Sequence, residues 1–320
     1  LEMLVVVDIF QNETASVADY VLPATSPFQR PDLPFLFPLF LGMQSRPYLQ
    51  ATEEVLPPHG EQLDEASIYY ALCKAAGVGL FGSRVAQSLI GAAYVRNGRV
   101  NQRGVLNALL RITRQPSFRQ LLKSPHGLAQ SKELAGTFLG QRVVTDDHKV
   151  HLAPTVLVDS LARVRAAFEN ELTQSHGYRL ITRRAVTTHN SWTHNLEDFA
   201  TGKRITNRLY MHSEDAKELG LGRGDYADVS TDVATVRVPV DYLDELMRGT
   251  VALPHGWGHQ SALGLSVAKQ TTGVNANLLA ADGPDRLEPV SGMAHLTGIP
   301  VSIAPAAGAH NPHDWTGLPQ

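Results

Sequence analysis

Arg183–Asn195 constrains this chain more than any other stretch. It reads Arg-Arg-Ala-Val-Thr-Thr-His-Asn-Ser-Trp-Thr-His-Asn and follows a short apolar run, Tyr178–Thr182, with the look of a strand. Asn190, Ser191, His194 and Asn195 each carry hydrogen-bonding groups, and Trp192 adds a broad flat ring. Buried polar groups each need a partner, so the run is expected to stand outside the packing and face a polar, acceptor-rich ligand. The bland alternative is an Asn/Ser/Thr turn closing a strand.

Around this run the second half of the chain has a β texture. Val236, Val238 and Val240 alternate with Arg237 and Pro239, as in a half-buried strand. Tyr226–Ser230, Thr250–Leu253 and Val301–Ala304 read as further short strands. Ser213 is expected to cap a short helix with Glu214 and Asp215 in its first turn and Gly220 at its end. Many short strands with little helix predict a closed barrel.

The first half has a different rhythm. Leu4–Ile9, the polar loop Gln11–Thr14, a helical turn within Thr14–Asp19 and the strand Tyr20–Leu22 follow the order of a parallel α/β sheet. Ligands bind beyond the carboxyl ends of such strands, where Asp8 falls, although an aspartate there also serves as a turn or cap residue. Asp64 is positioned to cap a helix that Gly77 stops. Residues 79–119 read as a polar, arginine-rich, helical connector without strong apolar periodicity. Ser160–Leu172 restores helical spacing through Leu161, Val164, Phe168 and Leu172.

Composition excludes several classes. Net charge is −3, from 28 basic and 31 acidic residues that are interspersed, which is no footprint for nucleic acid. The most apolar run, Leu33–Met43, is short and broken by Pro34 and Pro38, so no membrane insertion is expected. The lone Cys73 is read as a small buried hydrophobe; one cysteine supports neither a disulfide framework nor a four-cysteine cluster, and a cytoplasmic setting is expected. The chain opens on Leu in what reads as an internal strand, as a piece of something longer would.

A second polar cluster, Leu253–His259, reads Leu-Pro-His-Gly-Trp-Gly-His. Its glycines Gly256 and Gly258 permit close approach or positive φ, and fit a loop against a polar ligand better than a metal pair formed by His255 and His259. A third patch is Asn275-Ala-Asn277-Leu-Leu, leading to Leu287–Gly292.

TRRAVTTHNSWTHN, SEDAKELGLGRGDYADVS, PHGWGH and NANLL…EPVSG, in that order, resemble the C-terminal dinucleotide-binding domain of the molybdopterin oxidoreductases, the family of formate dehydrogenases and nitrate reductases. VVVDIFQNETASVADYVLPAT and PYLQATEEVLPPHGEQLDEASI are similar to the end of the preceding α/β domain. The resemblance implies a partial parallel α/β, Rossmann-like domain followed by a double-psi-type β-barrel. It divides the chain into 1–78, a connector 79–176, a barrel domain 177–307 and a tail 308–320.

The implied cofactor is bis-molybdopterin guanine dinucleotide with molybdenum or tungsten. Its protein metal ligand and any iron–sulfur cluster would lie in missing N-terminal domains, so no metal site or catalytic residue is assigned here. Asp8 and Asp64 match positions near a guanine dinucleotide. Thr182, Arg184, Thr188, His189, Asn190, Ser191, Trp192, His194 and Asn195 match the loop around pterin and pyrophosphate, with Arg184 suited to phosphate charge. His255, Gly256 and Trp257 belong to the glycine loop, Asn277 to a position near the pterin, and Thr297 to one where some relatives place lysine. Gln29 stands where relatives carry glutamate, so a neutral hydrogen bond is expected to replace a salt bridge. The implied partners are the dinucleotide, the missing domains and a redox partner. The implied function is the cofactor-holding part of a formate-dehydrogenase-like enzyme; the alternative is a truncated, non-catalytic dinucleotide-binding module.

Overall fold

The computed structural model describes residues 1–33, 48–129, 143, 145–173, 177–186 and 188–307. Most of the apolar run Leu33–Met43, residues 130–142 and the tail 308–320 lie outside the described residues. The chain divides into two units, Leu1–Phe10 with Val17–Val150, and Gln11–Ser16 with His151–Gln320.

In the first unit, β1 (Val5–Asp8) pairs in parallel with β2 (Tyr20–Pro23), and the parallel bridge Ala24–Leu63 continues this edge. After a short strand β3 (Tyr48–Leu49), the chain reaches α1 (Glu65–Ala75). Asp64 caps α1 as expected, its side chain accepting from the Ser67 amide, and Gly77 follows with φ 67°. Helix α2 (Arg84–Tyr94) leads into the hairpin β4 (Val95–Arg96) and β5 (Arg99–Val100). Asn97 and Gly98, with φ 51° and 75°, supply the two positive angles of its tight turn.

Helices α3 (Gln102–Ile112) and α4 (Phe118–Leu122) follow, and β6 (Leu128–Ala129) pairs with β3. Leu33, Leu49, Leu110, Phe118 and Leu121 bury together. This corrects the expectation that 79–119 lacks an apolar stripe: the arginines of α3 mask a face carrying Leu106 and Leu110. Cys73 is only half-buried. Gln29 accepts from the Ser26 amide and donates to the Pro57 carbonyl at 3.1 Å, which a glutamate could not do.

The second unit begins its long helix at α5 (Thr155–Thr173), whose stripe Leu161, Val164, Phe168 and Leu172 stays exposed. The barrel comprises β7 (Tyr178–Arg183), β8 (Leu209–Met211), β9 (Tyr226–Ser230), β10 (Thr235–Tyr242), β11 (Thr250–Pro254) and β12 (Ile299–Pro305). It closes in the order β10-β8-β11-β7-β12-β9. Two parallel pairs, β7 with β11 and β8 with β10, sit among antiparallel ones. Val236, Val238 and Val240 point into the core with Leu209, Met211, Val229, Val251 and Leu253, while Arg237 stays outside on Asp228. Pro239, which has no amide to donate, falls where β10 leaves β9 and joins β8.

Between β8 and β9 lies α6 (Ser213–Glu218). Its cap is His212, one residue before the Ser213 expected for that role. The imidazole accepts from the Glu214 amide, whereas the Ser213 amide donates to Asp244.

Candidate functional site

Strands β7 and β11 run side by side in parallel, Thr182 opposite Leu253 and Arg183 opposite Pro254. Their carboxyl ends therefore meet at one end of the barrel, and the two polar loops leave together. The His255 amide donates to the Arg183 carbonyl at 3.3 Å, extending the ladder by one bond.

The loops then touch through Asn190. Its Oδ1 accepts from Arg184 Nη1 at 3.0 Å and meets His255 Nε2 at 3.3 Å. His189 and Asn190 are both left-handed, with φ 44° and 61°. Asparagine tolerates that region; histidine does so less readily, and such strain collects at functional sites. Gly256 has φ 88°, and a Cβ there would lie 1.7 Å from the Asn190 carbonyl oxygen. Gly258, at φ 89°, would bring a Cβ to 2.4 Å from the Asn275 amide nitrogen. The glycine loop is thus held between the polar run and the segment that starts the one-turn helix Ala276–Leu279.

Beneath this surface His194 is fully buried, edge-on to Trp257 at 4.0 Å and to His259 at 5.4 Å between ring centroids. Among the described residues neither ring nitrogen of His194, nor the Trp257 indole nitrogen, has a hydrogen-bond partner. Burial, and then the neighbouring His259, push the His194 imidazole down to about 4, so it is neutral at ordinary pH. Thr188 is buried as well, its hydroxyl donating to the Ala185 carbonyl. These two side chains correct the expectation that the whole run stands outside the packing: the run is a turn that Thr188 and His194 anchor. Asn195 anchors it too, accepting from the Val267 and Ala268 amides.

The remaining candidates divide by place. Ser191, Trp192 and Asn277 are exposed, and no side-chain hydrogen bond is made by any of them among the described residues. Trp192 lies 6.1 Å from the His189 ring. The Thr182 and Thr297 hydroxyls are 3.4 Å apart, so the first and last of the expected barrel residues meet. Arg184 is exposed and, among the described residues, has no carboxylate partner. In the first unit, Asp8 closes the end of β1 by accepting from the Phe10 amide. The Asp64 carboxylate accepts from the Ser67 amide and hydroxyl and from Gln102, which leaves it little free capacity. Among the described residues no group of three or more His, Cys, Asp or Glu side chains is placed to hold a metal.

Several residues that build the site gave no signal in the sequence. Asn207 is buried and ties the end of β11 to the third loop, donating to the Pro254 and Val274 carbonyls and accepting from the Val274 amide. Gln260 donates to the Thr271 and Gly273 carbonyls. A lone amide in a polar segment has no periodicity, so only the closed barrel reveals these ties.

A glycine-clamped pair of loops thus stands at one end of a closed six-stranded barrel. Residues 178–300 match the family described as the molydopterin dinucleotide binding domain. The comparisons support a likeness of this part of the chain to the C-terminal portion of the molybdopterin oxidoreductases. It is 35% identical over 98 residues to the menaquinone reductase, molybdopterin-binding-like subunit of Nitratidesulfovibrio vulgaris, a match covering 31% of this chain and 13% of that relative. The fold is similar to acetylene hydratase from Pelobacter acetylenicus, with a TM-score of 0.68 and 19% identity over 95% of this chain and 40% of that one. The chain thus spans well under half of either relative.

The residues present fit such a cofactor. Arg184, without a carboxylate partner among the described residues, offers a guanidinium for a pyrophosphate, Asn190, Ser191 and Asn277 offer polar edges, and Trp192 offers an exposed ring. No helix among the described residues is long and apolar enough to cross a membrane.

Proposed function

We propose that this chain holds the pterin dinucleotide of a molybdenum or tungsten oxidoreductase of the formate-dehydrogenase-like type, with the bis-guanine-dinucleotide form of the cofactor. The observation that carries the reading is Arg184, which donates to Asn190 and has no carboxylate partner among the described residues, beside His255 where the loops after β7 and β11 converge.

In this reading Arg184 neutralises the pyrophosphate, and Asn190 is fixed by Arg184 and His255 so that its amide faces the ligand in one orientation. Ser191, Asn277, Thr182 and Thr297 complete the polar lining. His189 and Trp192 present rings to the pterin system, and Gly256 lets the loop backbone approach closely. Thr188, His194, Asn195 and Trp257 support from behind. Asp8 and Asp64 enter as contacts to a guanine, made with whatever acceptor capacity their turn and cap bonds leave. The cofactor supplies the redox chemistry at its metal, whose protein ligand, with any iron–sulfur cluster, is assigned to domains beyond this chain. The division into 1–78, 79–176, 177–307 and 308–320, a cytoplasmic setting and a separate redox partner belong to the same reading.

Metal analysis and pterin fluorescence on the chain co-expressed with its missing domains test it. Molybdenum or tungsten with pterin is expected; a folded protein carrying none of them refutes it. A second reading, a binding module without catalysis, is favoured by the likeness to a molybdopterin-binding-like subunit. It predicts pterin with no turnover by any assembly that contains the chain.

A further inference from the structure

Behind the glycine loop sits a contact that the dinucleotide reading does not use. His259 Nδ1 lies 2.8 Å from Glu13 Oε1, and its Nε2 lies 3.0 Å from the Gly256 carbonyl oxygen. The ring itself is buried. The strap Gln11–Ser16 that carries Glu13 is bound to the same loop twice more: the Leu263 amide donates to Ser16 Oγ at 3.0 Å and the Gly264 amide to the Gln11 carbonyl at 3.0 Å. A side chain at Gly264 would bring its Cβ to 2.6 Å from Gln11 Cβ, so strap and loop are in direct apposition.

We propose that Glu13 is a positioning residue, setting the dinucleotide-facing loop 255–258 through the relay Glu13–His259–Gly256. The partners decide the protonation. A carbonyl oxygen only accepts, so Nε2 carries a hydrogen, and Nδ1 faces a carboxylate oxygen. The contact therefore requires one proton between Glu13 and His259, either on the imidazole or on the carboxyl. Without a hydrogen-bonding group at position 13, the strap loses its hold on the ring. The titratable groups facing the His259 ring are Glu13 from the strap and His194 from the first loop, and His194 meets it only edge-on.

From His259 the constraint passes directly to the ligand face. The Gly256 carbonyl that His259 grips belongs to the residue whose α-carbon packs on Asn190, and His255 beside it meets the Asn190 amide. The effect on ligand binding rests on the dinucleotide reading; the relay in the free protein does not.

The test uses the full 320-residue chain, wild type, Glu13→Ala and Glu13→Gln, followed by NMR of histidine ring nitrogens and backbone amides, with GDP as the probe ligand. Glu13→Ala is expected to shift the His255, Gly256 and Trp257 amides and to weaken GDP binding roughly three- to tenfold, the worth of one lost hydrogen bond. Glu13→Gln is expected to restore the loop, because its NH2 donates to the unprotonated Nδ1. A purely packing role for Glu13 would give Glu13→Gln the same His259 ring-nitrogen shifts as Glu13→Ala, and that result overturns the proposal. So does Glu13→Ala with unshifted loop amides. If the loop responds as expected and GDP binds to none of the three proteins, the relay stands and the dinucleotide reading fails.

Discussion

Replacing Gly256 with alanine would isolate what the close approach of the two loops is worth. A methyl group there would lie 1.7 Å from the Asn190 carbonyl oxygen. Ordinary contact needs one loop to retreat by roughly 1.5–2 Å. That retreat breaks the His255 and Arg184 contacts to Asn190, each worth about 1 kcal/mol net. The φ of 88° adds about 1–2 kcal/mol of strain for an L residue, and the stiffer unfolded chain returns about 0.4–1 kcal/mol. The expected loss is about 2–3 kcal/mol, which for a unit of this size lowers Tm by roughly 4–12 °C.

Gly249→Ala is the internal control: its φ is 77° and nothing lies within 4 Å of the added methyl, so only about 1 kcal/mol of strain applies. Denaturant or thermal unfolding of both variants, with circular dichroism to confirm the barrel, reads the difference. If Gly256→Ala were no less stable than Gly249→Ala, the loops would not be in the contact described, and the reasoning would be wrong.

Asn207→Ala removes three hydrogen bonds from a buried amide and is expected to cost about 2–4 kcal/mol by denaturant titration. Arg184→Ala should change stability by less than about 0.5 kcal/mol yet weaken GDP binding and flatten its dependence on salt, read by calorimetry at two ionic strengths. Burial holds the His194 imidazole down to about 4, from an ordinary 6.5. The unfolded chain therefore binds its proton first, and stability should fall as pH drops from about 6.5 through about 4, by on the order of 3 kcal/mol in total. His194→Phe removes that limb from the pH–stability profile, and an unchanged limb would assign it to other groups. At micromolar concentration the chain alone should hold the dinucleotide weakly or not at all: about ten hydrogen bonds netting about 1 kcal/mol each are set against an association cost of about 4–15 kcal/mol, which leaves a small or negative surplus. Equilibrium dialysis would show otherwise if it found nanomolar affinity.

Local chemistry made much of this architecture readable in advance. The alternation at Val236, Val238 and Val240 marked β10 because a half-buried strand repeats every two residues, and Asp64 and Gly77 marked the ends of α1 because cap chemistry is local. The polar run and the glycine loop were recognisable because their composition suits neither a core nor a solvated helix. What composition did not reveal is direction. Thr188 and His194 turn inward from the same turn whose Asn190 and Trp192 face out, and only the left-handed pair His189–Asn190 makes that reversal possible. Partners distant along the chain were hidden for a related reason. Glu13 and His259 are 246 positions apart, and Asn207 reaches Pro254 and Val274 only because the barrel closes. His212, and not Ser213, caps the helix, while the Ser213 amide donates to Asp244 on another segment.

The account's central claim is that the loops after β7 and β11 form one ligand-holding face. Backbone amide shift mapping of the full chain with millimolar GDP tests this most directly. Perturbations are predicted at 182–192, 255–257 and 277, and not in the turn joining β9 to β10. Shifts confined to that turn, or no shifts at all, would contradict it.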